Sequence, residues 1–218
     1  MSQAPEPASR TDPASALDHG ENGVNGEKKK GGIARLPHDL LHRRERFRQF
    51  VGVAFAVVVT MLGRPRVDWL WFGAILCVIG MLVRLWASGH VKKDKQLATT
   101  GPYAFVRHPL YVGNQLLGVG FCAASALWWS LPAWIVISLL FYPPAIRQED
   151  AKLARLFGAA WTRWRARTRA LIPRLTPYEP GARGEWSFRE SLVQNGEPVY
   201  VVVFCLMLFY LYTQAVGV

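Results

Sequence analysis

Apolar residues in this chain come in runs, not at the two-residue spacing of a strand or the three-to-four spacing of a half-buried helix. The runs cover residues 50–63 (FVGVAFAVVVTMLG), 67–86, 109–127, 133–148 and 199–218. Each approaches the roughly 20 residues that a helix needs to cross a hydrocarbon core about 30 Å thick. The pattern predicts an all-α, polytopic helical membrane protein with about five transmembrane helices. The first run is short, but Phe47 extends its apolar face and Arg48 and Gln49 can reach back to the headgroups. Pro109 cannot continue a preceding helix and suits the first turn of a new one, so the third span starts there. The uncharged LWWSLP turn predicts a tight hairpin into the fourth span, which Pro143 and Pro144 should kink near its exit.

Between residues 150 and 170 the period changes. Leu153, Leu156, Phe157, Ala160, Trp161 and Trp164 recur at helical spacing among Lys152, Arg155, Arg163, Arg165 and Arg167, the pattern of a cytosolic amphipathic helix lying in the interface. Pro173, Pro177 and Pro180 end it. The first 45 residues are rich in Ala, Pro, Ser, Gly and charge, which predicts a disordered basic tail with no signal peptide. The chain thus divides into a tail (1–45), a membrane core (46–178), a polar connector (179–197) and a last transmembrane helix (198–218).

Charge and composition sharpen this picture. The net charge is +11, yet the basic residues flank apolar spans instead of interleaving with exposed aromatics, so no nucleic-acid partner is implied. Of 26 Lys and Arg, 23 fall in the tail, the 92–107 loop and the 147–189 segment. Five crossings with the N-terminus inside satisfy that bias. This places the N-terminus and the central loop on the cytosolic side of an inner (cytoplasmic) membrane. Cys77, Cys122 and Cys205 stand singly in apolar runs, which builds neither a local metal site nor a disulfide framework.

The loop LATTGPYAFVRHPLYVG, residues 97–113, holds the candidate chemistry. Gly101, Pro102 and Tyr103 have turn chemistry. Arg107 and His108 precede a helix start whose free N–H groups and positive dipole end suit an anion such as a cofactor carboxylate. His108, Tyr111 and Gln115 can share one helical face. Glu149 and Asp150 are adjacent acids amid Arg; either they favour the dipole of a following helix, or a carboxylate accepts from ribose hydroxyls or an ammonium.

Together with RQEDAKLARLFGAAWTRWRART and then IPRLTP, this loop resembles the isoprenylcysteine carboxyl methyltransferase and phospholipid methyltransferase superfamily. The shared pattern is Leu-x-Thr-x-Gly-Pro-Tyr, Arg-His-Pro-x-Tyr-x-Gly, a pair of acids, Leu, Phe-Gly, an aromatic-rich helix and a closing Pro. It covers residues 84–177, slightly under half the chain. The resemblance implies an integral-membrane methyltransferase that uses S-adenosyl-L-methionine on a lipophilic acceptor from the bilayer: a prenylcysteine carboxylate, a lipid amine or a thiol. By motif, Gln96, Leu97, Ala98, Tyr103, His108, Pro109, Leu110, Tyr111 and Glu149 would line the cofactor pocket. His108 and Glu149 would assist deprotonation of an ammonium acceptor. Arg147 is nearest to the family's carboxylate-contacting Arg, although Ala145 occupies the aligned position. Where the family's acid pair is usually Glu-Glu, Asp150 is the second member here.

Methyl transfer demands little more of the protein than in-line alignment and exclusion of water, because the sulfonium already activates its methyl group. Two other readings compete. Membrane sterol reductases resemble this superfamily in their C-terminal halves and use NADPH, but have about twice the length. A non-enzymatic scaffold could bind membrane lipids through the basic tail and amphipathic helix. The acceptor and the oligomeric state are not legible in the sequence.

Overall fold

A computed structural model describes residues 35–91, 96–181, 184–188, 191 and 197–217. Most of the expected tail and about half of the expected connector therefore lie outside the described residues. Residues 43–218 form one compact unit, and residues 1–42 form another of which only helical residues 35–42 are described. Five α-helices follow in order: α1 Arg35–Met61, α2 Val67–Ser88, α3 Pro109–Ser125, α4 Ser130–Arg167 and α5 Glu197–Val216. A 3-10 turn, Gly101–Ala104, stands before α3, and there is no strand among the described residues. The all-α expectation holds. By length and composition α2, α4 and α5 can each cross a membrane, whereas the apolar part of α1, Phe47–Met61, is shorter.

Two boundaries differ from the sequence reading. Helix α1 begins at Arg35, inside the stretch assigned to the disordered tail. Leu, Arg and Glu between 36 and 48 are good helix formers, and Pro37 sits in the first turn where its missing N–H costs nothing. The fourth span and the amphipathic helix are one element, whose only non-helical dihedrals fall at Gly158 (φ 49°, ψ −121°) and not at Pro143 and Pro144. A positive φ of this kind is open to Gly without the penalty a Cβ brings. Beyond that break the helix does not simply lie at an interface: Trp161 and Trp164 are buried.

Small residues let α2 and α3 approach closely, as in other membrane helix pairs. A Cβ on Gly80 would stand 2.8 Å from the Gly113 carbonyl, and one on Gly73 would meet the Gly120 carbonyl and the Ala124 backbone. Around this seam, Phe55 and Val59 of α1, Phe121 of α3, Trp134 of α4 and Leu211 of α5 complete the core. The opposite faces keep Ile75, Leu82, Leu139, Leu140, Leu206 and Phe209 exposed, as lipid-facing helices require, so the protein is an integral membrane protein. Gly80→Val is expected to cost about 2–3 kcal/mol by overpacking. Denaturation in detergent checks this, and an unchanged midpoint would show that the seam can open without loss.

Candidate active site

The loop between α2 and α3 is fixed by backbone bonds that local sequence does not reveal. The Tyr103 amide donates to Thr100 and closes the 3-10 turn (3.1 Å), and Gly101 takes φ 58° beside the His90 ring. The segment after α4 then folds back across the loop. Arg107 N–H donates to the Arg169 carbonyl (2.9 Å) and His108 N–H to Ala170 (3.1 Å). Arg174 and Tyr178 donate to Phe105 and Ala104, both at 2.9 Å. Trp164 adds an indole bond to the Tyr103 carbonyl at 3.2 Å. The amides of Arg107 and His108, just before the helix start, are thus both taken by carbonyls of the returning segment.

An anion does stand at that helix start, but it belongs to the chain. Asp150 accepts from Arg107 NH1 at 2.9 Å and lies 3.2 Å from His108 Nε2. Its side chain is 11% exposed and that of Arg107 10%. Glu149 turns the other way: Tyr111 Oη donates to Oε2 at 2.9 Å and His108 Nδ1 is 3.4 Å distant. Its side chain remains 45% exposed. The His108 and Tyr111 rings stack at 5.3 Å, with Tyr142 edge-on to Tyr111 and Arg48 over the Tyr111 face at 4.7 Å.

Burial works against a charged His108, yet hydrogen bonds to Asp150 and Glu149 and their charges outweigh it and raise its pKa above the ordinary histidine value. Both ring nitrogens face carboxylates, so the imidazolium is the form that satisfies both. A raised pKa means that this stabilisation is fully present below about pH 6.5 and is lost as pH climbs through the folded-state value. The thermal midpoint of wild type should therefore lead that of His108→Gln at mildly acidic pH and lose that lead in mildly alkaline buffer. The change should be about 2–4 °C, the displacement per kcal/mol in a chain of this size. A pH-independent gap would show that His108 is neutral.

The remaining residues anticipated from the sequence separate into groups. Leu97, Ala98 and Leu110 pack, partly buried, against the buried cluster of Tyr103, Trp161 and Trp164. Burial, then the nearby Glu149 charge, pushes the Tyr103 hydroxyl pKa up. Pro109 is fully buried at the first position of α3. Gln96 is exposed at the edge of the described loop. Gln115 leaves this group and accepts from Ser138 at 2.9 Å on α4. Arg147 is exposed, with Nε bonded to the Pro143 carbonyl. It is two residues from Glu149 on one helix, and such neighbours do not share a face.

Sequence reasoning missed a second polar cluster deeper among the helices. Arg84 donates to Glu197 through Nε (3.1 Å) and NH2 (2.7 Å), and to Asn114 Oδ1 through NH1. Its signal was available: isolated opposite charges at the ends of two apolar runs seek each other. Arg84 and Asn114 line a cavity together with Arg48, Tyr142, Tyr200 and Phe204. Arg48 and Tyr142 are common to this cavity and to the His108 cluster, so the two adjoin.

Residues 72–155 match the model of the isoprenylcysteine carboxyl methyltransferase (ICMT) family. The chain is 34% identical over 75% of its length to the cobalt-zinc-cadmium resistance protein CzcN of Cupriavidus metallidurans, covering 79% of that protein. Similarity to the nickel-cobalt-cadmium resistance protein NccN of Alcaligenes xylosoxydans xylosoxydans is 35% over 62% of this chain and 66% of the relative. The protein-S-isoprenylcysteine O-methyltransferase of Schizosaccharomyces pombe is 36% identical over 37% of this chain and 34% of the enzyme. No solved structure matches.

Proposed function

The chain belongs to the isoprenylcysteine carboxyl methyltransferase superfamily, and from that premise we propose that it transfers the methyl group of S-adenosyl-L-methionine to a lipophilic acceptor reached from the bilayer. One observation carries this reading. The half-exposed Glu149 carboxylate, held by Tyr111, stands where the polar loop adjoins the cavity among the helices. A polar cofactor and a lipophilic acceptor could meet there.

The residues present suit the cofactor. Glu149 offers a free carboxylate edge to ribose hydroxyls or an ammonium. Leu97, Ala98 and Leu110 give an apolar wall beside Trp161, whose buried indole N–H has no partner among the described residues. The bound cofactor would supply an already activated methyl group, so the protein's work is alignment and desolvation.

His108 is then a positioning residue, not a base: held between two carboxylates, it orients Glu149. Of the two Arg in the cavity lining, Arg84 is paired with Glu197, which leaves, among the described residues, the positive charge of Arg48. That charge favours an acceptor that is anionic at rest, a carboxylate or thiolate, over an ammonium that would first have to lose a proton. The names of the two bacterial relatives connect those proteins with metal resistance. S-adenosylhomocysteine is expected to bind the detergent-purified chain in calorimetry and to raise its thermal midpoint, whereas NADPH should do neither. A folded preparation that ignores S-adenosylhomocysteine would end this reading, and stabilisation by NADPH would replace it with a reductase.

A further inference from the structure

A second concavity, of about 790 Å³, is lined by Arg107, the last turn of α4 and the segment that follows it. Arg107, Arg165, Arg167, Arg169 and Arg174 line it, and among the described residues no acidic side chain does. Five guanidinium groups in one concavity repel each other unless an anion joins them. Burial and the Arg165 charge already oppose the charged form of Arg107, against the pull of Asp150.

Three buried polar atoms of its lining residues have no hydrogen-bond partner among the described residues: Arg107 Nε, Thr168 Oγ1 and Arg174 NH1. Thr168 is 2% exposed, and an orphaned buried donor is costly unless a ligand satisfies it. The donors are of the type that grips phosphoryl oxygens, where the Arg fork binds bidentately. The rim supplies the second half of the signal. Leu175, also lining the concavity, is fully exposed and its neighbour Ile172 is 63% exposed. Exposed aliphatic residues interspersed with Arg describe a surface that meets a membrane interface.

We propose that this concavity binds the phosphoryl group of an anionic phospholipid headgroup, with Arg169, Arg174 and Thr168 as its principal donors and Leu175 against the acyl boundary. Arg107 donates through NH1 to Asp150 and keeps Nε for the concavity. Headgroup binding would therefore stiffen the support of His108 without touching the proposed cofactor residues.

Native mass spectrometry of the full chain, delipidated and then offered phosphatidylglycerol or phosphatidylcholine, tests this directly. Phosphatidylglycerol should be retained by wild type under activation that strips phosphatidylcholine. Arg169→Gln with Arg174→Gln should weaken its binding about thirtyfold, at about 1 kcal/mol for each Arg. Arg155→Gln with Arg163→Gln, an equal loss of charge outside the concavity, should leave it unchanged. Thr168→Val keeps every charge, so weaker binding in that variant supports the site even if the double Arg variant misfolds. Displacement by millimolar inorganic phosphate would support phosphoryl recognition. Protection by phosphate without phosphatidylglycerol binding would overturn the lipid source, and equal loss in the two double variants would overturn the site.

Discussion

Glu197→Leu is expected to lower the stability of the protein by about 3–5 kcal/mol, the usual consequence of removing one partner from a buried ion pair. The Arg84 side chain is 12% exposed and that of Glu197 2%. The pair is bidentate, and Asn114 takes a further guanidinium N–H, so α2, α3 and α5 are joined at one point. Losing the carboxylate strands a cation among apolar helices, where neither water nor another acid replaces it. The double variant Arg84→Met, Glu197→Leu removes both charges and should recover most of the loss, because hydrophobic replacement of a buried pair is often close to neutral. Denaturation in detergent of the two single variants and the double variant gives the coupling. Were Glu197→Leu no worse than the double variant, the ion pair would not be what holds α5 to the rest.

That pair also marks where the sequence stops being informative. Runs of apolar residues reveal helices α2 and α5 because length and composition are local properties. Pairing across 113 positions is not. The same limit explains the loop. Its Gly, Pro, Arg-His-Pro and acid-pair motifs are visible as residues, so His108, Tyr111 and Glu149 could be named together. The carbonyls of Arg169 and Ala170 that occupy its amides come from a segment with no pairing signal of its own. Arg48 looked like one more basic residue before a span, and only the fold puts it over Tyr111. Gly158 was hidden by the stronger expectation attached to two consecutive prolines. In a helix packed among others, proline's lost bond can be made good by its surroundings, whereas a positive φ is a definite break.

The adjacent acids give the largest expected separation between function and stability. Glu149→Gln should reduce affinity for S-adenosylhomocysteine by about ten- to a hundredfold, the range for losing hydrogen bonds to a charged acceptor. The amide is nearly isosteric, and Glu149 is the more exposed acid, so the thermal midpoint should barely move. Asp150→Asn should do the reverse. It takes the charge from a buried carboxylate shared by Arg107 and His108, at a cost of about 3 kcal/mol, while affinity measured on the folded fraction falls only modestly. Successive residues of a helix are about 100° apart, so beyond the His108 ring that they share the two carboxylates face different sides. Asp150 faces inward and holds the loop against α4; Glu149 faces the open side, where a ligand has access. If Asp150→Asn abolished binding with the midpoint unchanged and Glu149→Gln unfolded the protein, the roles would be exchanged. The half-exposed carboxylate would then be a structural group, and the proposed cofactor wall would have to be sought on the inner face of α4.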